Sequence, residues 1–461
     1  MIPLGRQQVL RIVYVFALFA FTQSSCKQAD EPIPSKIPPT TDHESTKLGK
    51  AQALAYATLF GVHADNAGRP RNQARSVQQV KRIKSVNYAV EGADTLLYAV
   101  NFANDEGFML ISGDNSSFPI IAHADKGSLN LDRIAKNDPL YLVVDSYKKA
   151  VKHRLQDSLR YKTKYYQEWK YLGNKDYEYE IIPNKKEPTP DEETNKQGGR
   201  SLRKSPSGRV DVYPFTGKLL DSWSQNGNFN TYAQNNAFIG CPSVAIGMLL
   251  YDCAFRGNGV MTPTFPAMAQ AYSSAVHTST LASDVSKVFR QIADSIPNYA
   301  WGRGPGYESG ARSEDILVGL RRLGFEKAQT RDFDVETLYK NLRYRNPDYA
   351  GWGSEYVTRG VLLAAYSHLG TSGHIWFCDG YYEQSYTITR KEKVLFWTRT
   401  STWKEYQDRL YMNWGHGQGN GWYTVADEVW GMVDTNSPMQ YMKIDPIIFT
   451  DLSFYRNPYY K

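Results

Sequence analysis

Apolar residues recur at helical spacing near residue 50 and then alternate along the segments that follow. One face of the predicted helix carries Leu48, Ala51, Ala55 and Leu59. The runs RIKSVNYAV and TLLYAVNFA, separated by the turn-like EGAD, predict a hairpin, and GFMLISGD predicts a third strand. A helix is predicted after Asp138-Pro139, with Leu140, Val143, Tyr147, Val151 and Leu155 on one face. Residues 48–157 therefore predict a small α+β domain.

The segment 211–461 is aromatic and glycine-rich, and it predicts a second, larger domain. Its clearest helix starts at Cys241 and has apolar residues at helical spacing: Val244, Met248, Tyr251 and Phe255. After residue 355, short strands are predicted in RGVLLAAYS, HIWFCDGYY, VLFWTRT, RLYMNWG and GWYTVA. Residues 158–210 end in GGRSLRKSPSGR, which indicates an exposed linker with a maturation site that a protease can reach.

The first 25 residues have the pattern of an export signal. An apolar core, IVYVFALFAF, follows two arginines and is too short to span a bilayer. Two serines precede Cys26, which favours a lipoprotein-type signal with lipid attached to Cys26. Ordinary secretion is the alternative, because Gln23 stands where such signals usually carry Leu. Residues 26–47 predict a flexible tether. We expect an exported protein, either secreted or held at the outer membrane or cell surface.

Composition narrows the classes of function. Hydrophobic residues make up 41% of the chain and aromatic residues 13%, which is enough to fill folded cores. The net charge of +7 is small for 461 residues and is scattered, so it indicates neither nucleic-acid binding nor membrane-surface binding. Four cysteines are too few for a disulfide scaffold: Cys26, Cys241, Cys253 and Cys378. If Cys26 carries lipid, the odd remainder predicts at least one free thiol.

Cys241 combines a thiol with the start of a helix. It follows Gly240 and precedes Pro242, a residue favoured in the first helical turn. The positive end of the helix is expected to lower the thiol pKa and stabilise the thiolate. From this residue alone, a small buried core cysteine is an equally good interpretation.

Three further segments carry groups that thiol chemistry needs. His374, in TSGHIWFCDGYY, predicts a base. Asn413, in MNWGHGQGNGWY, predicts the group that orients the imidazole, with Trp414 shielding that contact from water. Gln225, in DSWSQNGNFN, predicts an amide donor to an oxyanion. Singly, each has a plainer interpretation as a structural histidine, a glycine-rich turn or a solvated glutamine, and His416 is an alternative base. Together they follow the papain-type order Gln, Cys, His, Asn.

These motifs resemble the streptopain family of papain-like cysteine peptidases. The resemblance rests on Trp223, Gln225 and Asn230, on Gly240 and Cys241, on Gly373, His374, Asp379, Gly380 and Tyr381, and on Asn413, Trp414 and Gly415. The upstream YAVNFANDEGFMLISGDNSSFPIIAHA resembles the prodomain of that family around Gly107, Phe108, Ser112, Gly113 and Asp114. The resemblance implies an inhibitory prodomain over 48–157 that acts in cis, a papain-like peptidase domain over 211–461, protein or peptide substrates, and no cofactor.

The chain departs from the family pattern in several places. Pro242, Ser243, Val244 and Ala245 replace Val-Ala-Thr-Ala after the cysteine, and Asn228 stands where a Pro is common. His416 stands where a second Trp usually follows Asn-Trp-Gly, and the charged stretch 383–410 is longer than usual. These differences leave substrate specificity and the role of the third catalytic group open.

Three other functions fit parts of the pattern. A zinc site is disfavoured, since His374 and Cys378 would lie about 13 Å apart on a strand, and Cys241 and Cys253 about 18 Å apart on a helix. A peptidase-fold lipoprotein that has lost catalysis and binds peptides or host proteins stays open. So does a transamidase or an amidase, because these share the acyl-enzyme step. We expect a cysteine endopeptidase made as a zymogen, with no metal.

Overall fold

The computed structural model describes residues 46–64, 81–116, 119–134, 139–156, 163–183, 220–256, 279–342, 360–366, 373–424 and 446–450. The predicted export signal, Cys26, the tether up to residue 45, linker residues 184–210 and the Cys253 side chain lie outside the described residues. Within the described part, no helix is long and apolar enough to cross a membrane. Residues 45–461 form one compact unit.

The first half of that unit is built from two helices and four strands: α1 Lys50–Ala64, β1 Ile83–Glu91, β2 Asp94–Phe102, β3 Phe108–Ser112, β4 Ile120–Ala124 and α2 Pro139–Gln156. This confirms the predicted hairpin, third strand and second helix, and it confirms that a helix lies near residue 50. The predicted apolar face of α1 is wrong, because Ala51 is exposed and Ala55 and Leu59 are only partly buried, whereas the buried face carries Ala53, Tyr56, Ala57 and Phe60. All five apolar residues predicted on one face of α2 are buried. Strand β4 was not predicted; its five residues are all buried, as are those of β3.

Residues 163–183 fall inside the predicted linker, yet they fold as α3 Lys164–Trp169 and β5 Tyr177–Pro183. The Thr163 hydroxyl caps α3 by accepting a hydrogen bond from the Tyr166 backbone N–H at 3.2 Å. Trp169 is fully buried, and its ring centroid lies 5.4 Å from that of Tyr179 and 5.6 Å from that of Trp403. Aromatic burial therefore orders a stretch whose charged composition indicates an exposed linker.

The second half contains α4 Cys241–Arg256, α5 Ser279–Ser295, α6 Ser313–Arg322, β6 Gln329–Asp332, α7 Val335–Leu342, β7 Val361–Tyr366, β8 Gly373–Val394, β9 Trp397–Asn413, β10 Gly421–Thr424 and β11 Pro446–Thr450. Helix α4 begins at Cys241 as predicted. The prediction of a strand in VLFWTRT is wrong near its start, where Leu395 and Phe396 form the turn between β8 and β9, and correct from Trp397 onward. A short apolar run indicates burial in a strand, but none of the described elements packs on these two residues.

All paired strands in the described part are antiparallel, and they form one sheet of eleven strands. The order is β1-β2-β3-β4-β10-β9-β8-β7-β11-β6, and β5 pairs with β8 outside this path. The two halves join where β4 pairs with β10, with His123 opposite Trp422 and Ala122 opposite Tyr423. The molecule is therefore a mixed α+β protein with a large antiparallel sheet.

Helices cover both faces of this sheet. Helices α2 and α7 pack on the face that includes Trp376 and Cys378 of β8. Helices α4, α5 and α6 pack on the opposite face, against Ile375 and Phe377, while α1 covers β2 and β3 further along. This follows from the alternation of side chains along each strand. It brings the first turn of α4 against the start of β8.

Candidate functional site

The chain turns sharply into α4 at Gly240, directly before Cys241. Gly240 has φ +94°, and a Cβ there would lie 2.2 Å from the Tyr299 hydroxyl and 2.7 Å from the Ser309 carbonyl oxygen. Only glycine fits such a position. Tyr299 also donates a hydrogen bond to the Ile239 carbonyl at 2.6 Å. The segment that leads into Cys241 is thereby fixed in place.

The Cys241 thiol is half-buried and free of any disulfide. Its pKa is raised to about 12: burial is the main cause and the Glu308 carboxylate contributes, whereas the backbone N–H groups of Ile375 and of Cys241 itself act in the opposite direction. The expected lowering of the pKa by the helix start is therefore present but outweighed by desolvation. The contact with Ile375 places the thiol beside the residue that follows His374.

His374 is buried, and its ring is held from two sides. Its Nε2 lies 2.9 Å from the Trp414 carbonyl oxygen. Because a carbonyl only accepts, Nε2 carries the hydrogen, and Nδ1 keeps its lone pair. The ring stacks on Trp376, with centroids 6.0 Å apart and planes at 10°. Burial lowers the pKa of His374 well below its ordinary value, and His416 lowers it further, while the Trp414 carbonyl raises it.

Asn413 shapes the loop that presents the Trp414 carbonyl. Its Oδ1 accepts a hydrogen bond from the Gly415 N–H at 3.0 Å, and its Nδ2 donates to the Leu220 carbonyl at 3.3 Å. The buried Trp414 indole donates to the Gly419 carbonyl at 3.1 Å. The sequence predicts that the Asn413 side chain orients the imidazole and that Trp414 shields it. In the structure, the hydrogen bond to the ring comes from the Trp414 backbone.

Gln225 is buried beside the approach to Cys241. The backbone carbonyl of Gln225 accepts a hydrogen bond from the backbone N–H of Ile239 at 2.9 Å, and Ile239 lies two residues before Cys241. Its amide Nε2 lies 2.7 Å from His416 Nε2, so the amide donates to an unprotonated His416 nitrogen. The His416 ring lies 6.1 Å from the His374 ring, centroid to centroid. His416 thus links the predicted oxyanion donor to the predicted base.

Sequence reasoning missed several residues around this site. Tyr299 and Glu308 come from a loop in which no motif was recognised, and Ile375 and Trp376 act through a backbone N–H and a stacked ring. The glycines of WGRGPGYESG mark a tight loop, but nothing in their spacing indicates that it packs against Cys241.

Among the described residues of the disfavoured zinc site, Cys241 lies against Ile375, next to His374, whereas Cys378 lies on the opposite face of the sheet from Cys241. Cys378 is fully buried in the core under α2, and burial together with Asp379 raises its pKa. Within the described residues, no group of three or more His, Cys, Asp and Glu side chains is arranged to hold a metal ion.

Helix α2 contacts the loop that carries Trp414 and His416. Gly419 has φ +69°, and a Cβ there would lie 2.4 Å from Leu140 Cδ2. Nearby, the Tyr147 hydroxyl donates to the Thr424 carbonyl at 2.8 Å, which ties α2 to β10. The upstream region is therefore packed directly behind the candidate site.

One comparison with known proteins gives a match. The family model for the Spi protease inhibitor, the propeptide region of streptopain-like cysteine peptidases, matches residues 45–151. No curated protein matches the chain. The matched residues include α1, β1 to β4 and most of α2. They identify the upstream region as a protease propeptide or inhibitor domain, which is consistent with a protease made as a zymogen.

Proposed function

We propose that the chain is the exported zymogen of a cysteine endopeptidase, with Cys241 as nucleophile and His374 as base. The match of residues 45–151 to a protease propeptide carries the proposal. A propeptide needs a protease to act on, and residues 220–450 of the same chain supply a thiol and an imidazole on adjacent elements. A papain-like domain accounts for the order of the motifs and for a helix-borne thiol beside a strand-borne histidine.

The hydrogen bond at His374 Nε2 supports a proton path through Nδ1. The unprotonated Nδ1 accepts the Cys241 proton as the sulfur attacks a peptide carbonyl. The same proton then passes to the leaving amine, which leaves a thioester on Cys241. Water, deprotonated by His374, hydrolyses the thioester and releases the acid. The Trp414 carbonyl stabilises the imidazolium that forms in each step.

The oxyanion is expected to lie between the Cys241 backbone N–H and the Gln225 amide. One N–H of that amide bonds to His416. The other N–H of the same amide is available to an oxyanion. Fixing the amide through His416 reduces the reorganisation that is needed when charge develops.

The nucleophile is tested by peptide cleavage and by labelling with a thiol-reactive peptide analogue, both after the linker is cut. Cys241→Ala is expected to abolish both, and Cys378→Ala is the matched control for a buried thiol. Full activity in Cys241→Ala would contradict the proposed mechanism. Product analysis with an added amine separates hydrolysis from amide transfer.

A second candidate is a peptidase-fold protein that binds peptides without cleaving them. The raised pKa of Cys241 and the lowered pKa of His374 favour it, because both oppose a thiolate–imidazolium pair. Peptide binding by the cut chain, with neither labelling of Cys241 nor cleavage, would establish this function instead.

The proposed lipid anchor at Cys26 follows from the sequence alone. Incorporation of a fatty-acid analogue should require Cys26. Labelling that persists in Cys26→Ala would show that the chain is not a lipoprotein of this type.

A further inference from the structure

The turn between β8 and β9 exposes three consecutive large apolar side chains. Leu395 is 94% exposed, Phe396 99% and Trp397 60%. We call these three residues the hairpin tip. Isolated exposed apolar residues are common, but three large ones in a row at one projecting turn indicate an interaction site.

The backbone of the hairpin tip shows a second anomaly. Val394 pairs with Trp397, so Leu395 and Phe396 form a two-residue turn. Leu395 has φ +46°, a conformation that such turns usually assign to Gly, Asn or Asp. Leucine at this position disfavours the turn, because its side chain opposes a positive φ, and it lowers solubility, because its apolar side chain is exposed. A local choice that opposes both is typical of a functional site.

The hairpin is a rigid support for its tip. Strand β5 pairs with β8 from Tyr386 to Glu392, and the Lys393 N–H donates to the Asp176 carbonyl at 3.0 Å. The Arg390 guanidinium lies 5.6 Å from the centroid of the Tyr171 ring. The order of the hairpin therefore extends to within two residues of the turn, so that Leu395 and Phe396 are presented on an ordered base.

Cations flank the hairpin tip. Lys393 and Arg399 are exposed and have no ion-pair partner among the described residues. Lys391 lies 3.5 Å from Glu180. Within residues 390–399, Glu392 is one acid among four cations; it lies opposite Arg399 and accepts a hydrogen bond from the Tyr177 hydroxyl at 3.1 Å. Asp176 and Glu178 of the neighbouring segment lie opposite Lys393 and Lys391. The hairpin end thus has an apolar tip with a net positive charge behind it, and this combination complements an anionic lipid surface.

We propose that the hairpin tip inserts into the interface of a membrane that contains anionic lipid. Leu395 and Phe396 enter the boundary of the acyl chains, Trp397 lies at headgroup level, and Lys393 and Arg399 contact lipid phosphates. A protein partner fits less well, because a narrow turn of three residues offers far less area than a specific protein interface buries. The small net charge of the whole chain hides this local arrangement.

The test uses quenching of tryptophan fluorescence by vesicles whose acyl chains carry bromine. All samples are the chain from residue 27 onward, so that neither an attached lipid nor the apolar core of the predicted export signal anchors the protein. Phosphatidylglycerol–phosphatidylcholine vesicles are compared with pure phosphatidylcholine. We expect quenching on the anionic vesicles that weakens with salt, and Trp397→Phe should remove it. Equal quenching with Trp397 absent would overturn the proposal.

Two variants separate the apolar and the charged contributions. The double variant Leu395→Asn, Phe396→Gly keeps the turn, because Asn-Gly favours a two-residue hairpin. It should weaken partition into anionic vesicles by at least about tenfold. Lys393→Glu with Arg399→Glu should weaken binding to anionic vesicles while the apolar tip is intact. Val90→Asn, at an apolar residue 58% exposed elsewhere, is the control and should bind like the parent chain.

Self-association is the remaining explanation to exclude. Sedimentation measures whether the parent chain is oligomeric and whether Leu395→Asn with Phe396→Gly makes it monomeric. If both hold, and vesicles leave the Trp397 fluorescence unquenched, the hairpin tip is a protein interface and the lipid proposal is wrong.

Discussion

At the scale of single residues, the candidate site holds its reactive groups in their neutral forms. Burial raises the pKa of the Cys241 thiol to about 12 and lowers the pKa of His374. Both shifts oppose a thiolate–imidazolium pair and are consistent with a latent protein. The neighbours that contribute to these shifts, Glu308 and His416, are therefore sensitive positions for substitution.

Replacing Glu308 by Gln should lower the pKa of Cys241. The carboxylate lies close enough to disfavour the thiolate, and removing its charge removes that repulsion. Because Glu308 is exposed, the shift should be smaller than about one pH unit. The measurement is the rate of Cys241 alkylation against pH in a Cys378→Ala background. Glu314→Gln, at an exposed carboxylate on α6, should leave the profile unchanged, and an unchanged profile in Glu308→Gln would contradict the prediction.

Replacing His416 by Phe should raise the pKa of His374, because a neighbouring histidine that disfavours the imidazolium is removed. Histidine titration by NMR in a Cys241→Ala background measures the His374 pKa directly.

His416→Phe also removes the acceptor of the Gln225 amide hydrogen bond. It should lower kcat about tenfold once the linker is cut, because the oxyanion donor is held less firmly. A normal kcat together with an unshifted His374 would show that His416 has no part in the site.

At the scale of elements, α3 and β5 link the upstream region to the β8–β9 hairpin. Trp169 of α3 packs on Trp403 of β9, and Ile181 of β5 is buried with Ile388 of β8. Glu405 of β9 lies in this region. Its pKa is raised to about 8, mainly by burial and in part by the nearby Glu168 of α3. This part of the molecule is thus held together by aromatic packing around a carboxyl that resists ionisation.

The Glu405 carboxyl predicts a stability that depends on pH. In the unfolded chain it ionises near its ordinary value of 4.5, but in the folded chain it stays protonated to about 8. The folded state therefore binds more protons between these values, and stability falls as pH rises from 4.5 to 8 and then levels off. Glu405→Gln should reduce this dependence and stabilise the protein at pH 8 by on the order of 1–3 kcal/mol. Urea unfolding at pH 5, 7 and 9 measures both effects, and parallel pH dependence in the two proteins would contradict the prediction.

At the scale of the whole molecule, one sheet runs through the propeptide-like region and the candidate site. The joint is the β4–β10 pair, supported by a hydrogen bond of 2.7 Å between the buried side chains of Arg409 and His123. Beside it, Leu140 of α2 packs against Gly419, whose carbonyl holds the Trp414 indole. Inhibition in cis is therefore expected to act through the loop that orients His374.

Leu140→Ala should raise the activity of the uncut chain. It removes buried contacts behind the Gly419 loop, at a cost of about 2–5 kcal/mol for a core Leu→Ala change, and so weakens docking of α2. Leu155→Ala is the matched control, because this buried residue lies about 22 Å further along the same helix. The measurement is peptide cleavage by uncut chains and by chains cut at a protease site engineered into 184–210. Equal rates before and after cutting, with all proteins folded, would show that the upstream region does not regulate the site.

The sequence by itself determined the elements that rest on local periodicity. It located α1, the β1–β2 hairpin, β3, α2 and the start of α4 at Cys241, because regular spacing of apolar residues indicates a helix or a strand. For α2 the spacing also identified the buried face, whereas for α1 it selected residues such as Ala51 that are exposed. It also selected Gln225, Cys241, His374 and Asn413, because each brings a functional group that thiol chemistry needs. The resemblance of the upstream region to a protease prodomain agrees with the propeptide match.

Only the tertiary structure decided the features that depend on distant neighbours. The thiol pKa follows from burial against β8, which outweighs the helix start that the sequence shows. The imidazole is held by the Trp414 carbonyl, and backbone groups leave no mark in a motif. The charged stretch 163–183 folds because Trp169 finds an aromatic partner more than 200 residues away, in Trp403. In the apolar run VLFW, Leu395 and Phe396 form an exposed turn for the opposite reason, because none of the described elements packs on them. Burial is a property of the assembled chain, and local spacing can only indicate it.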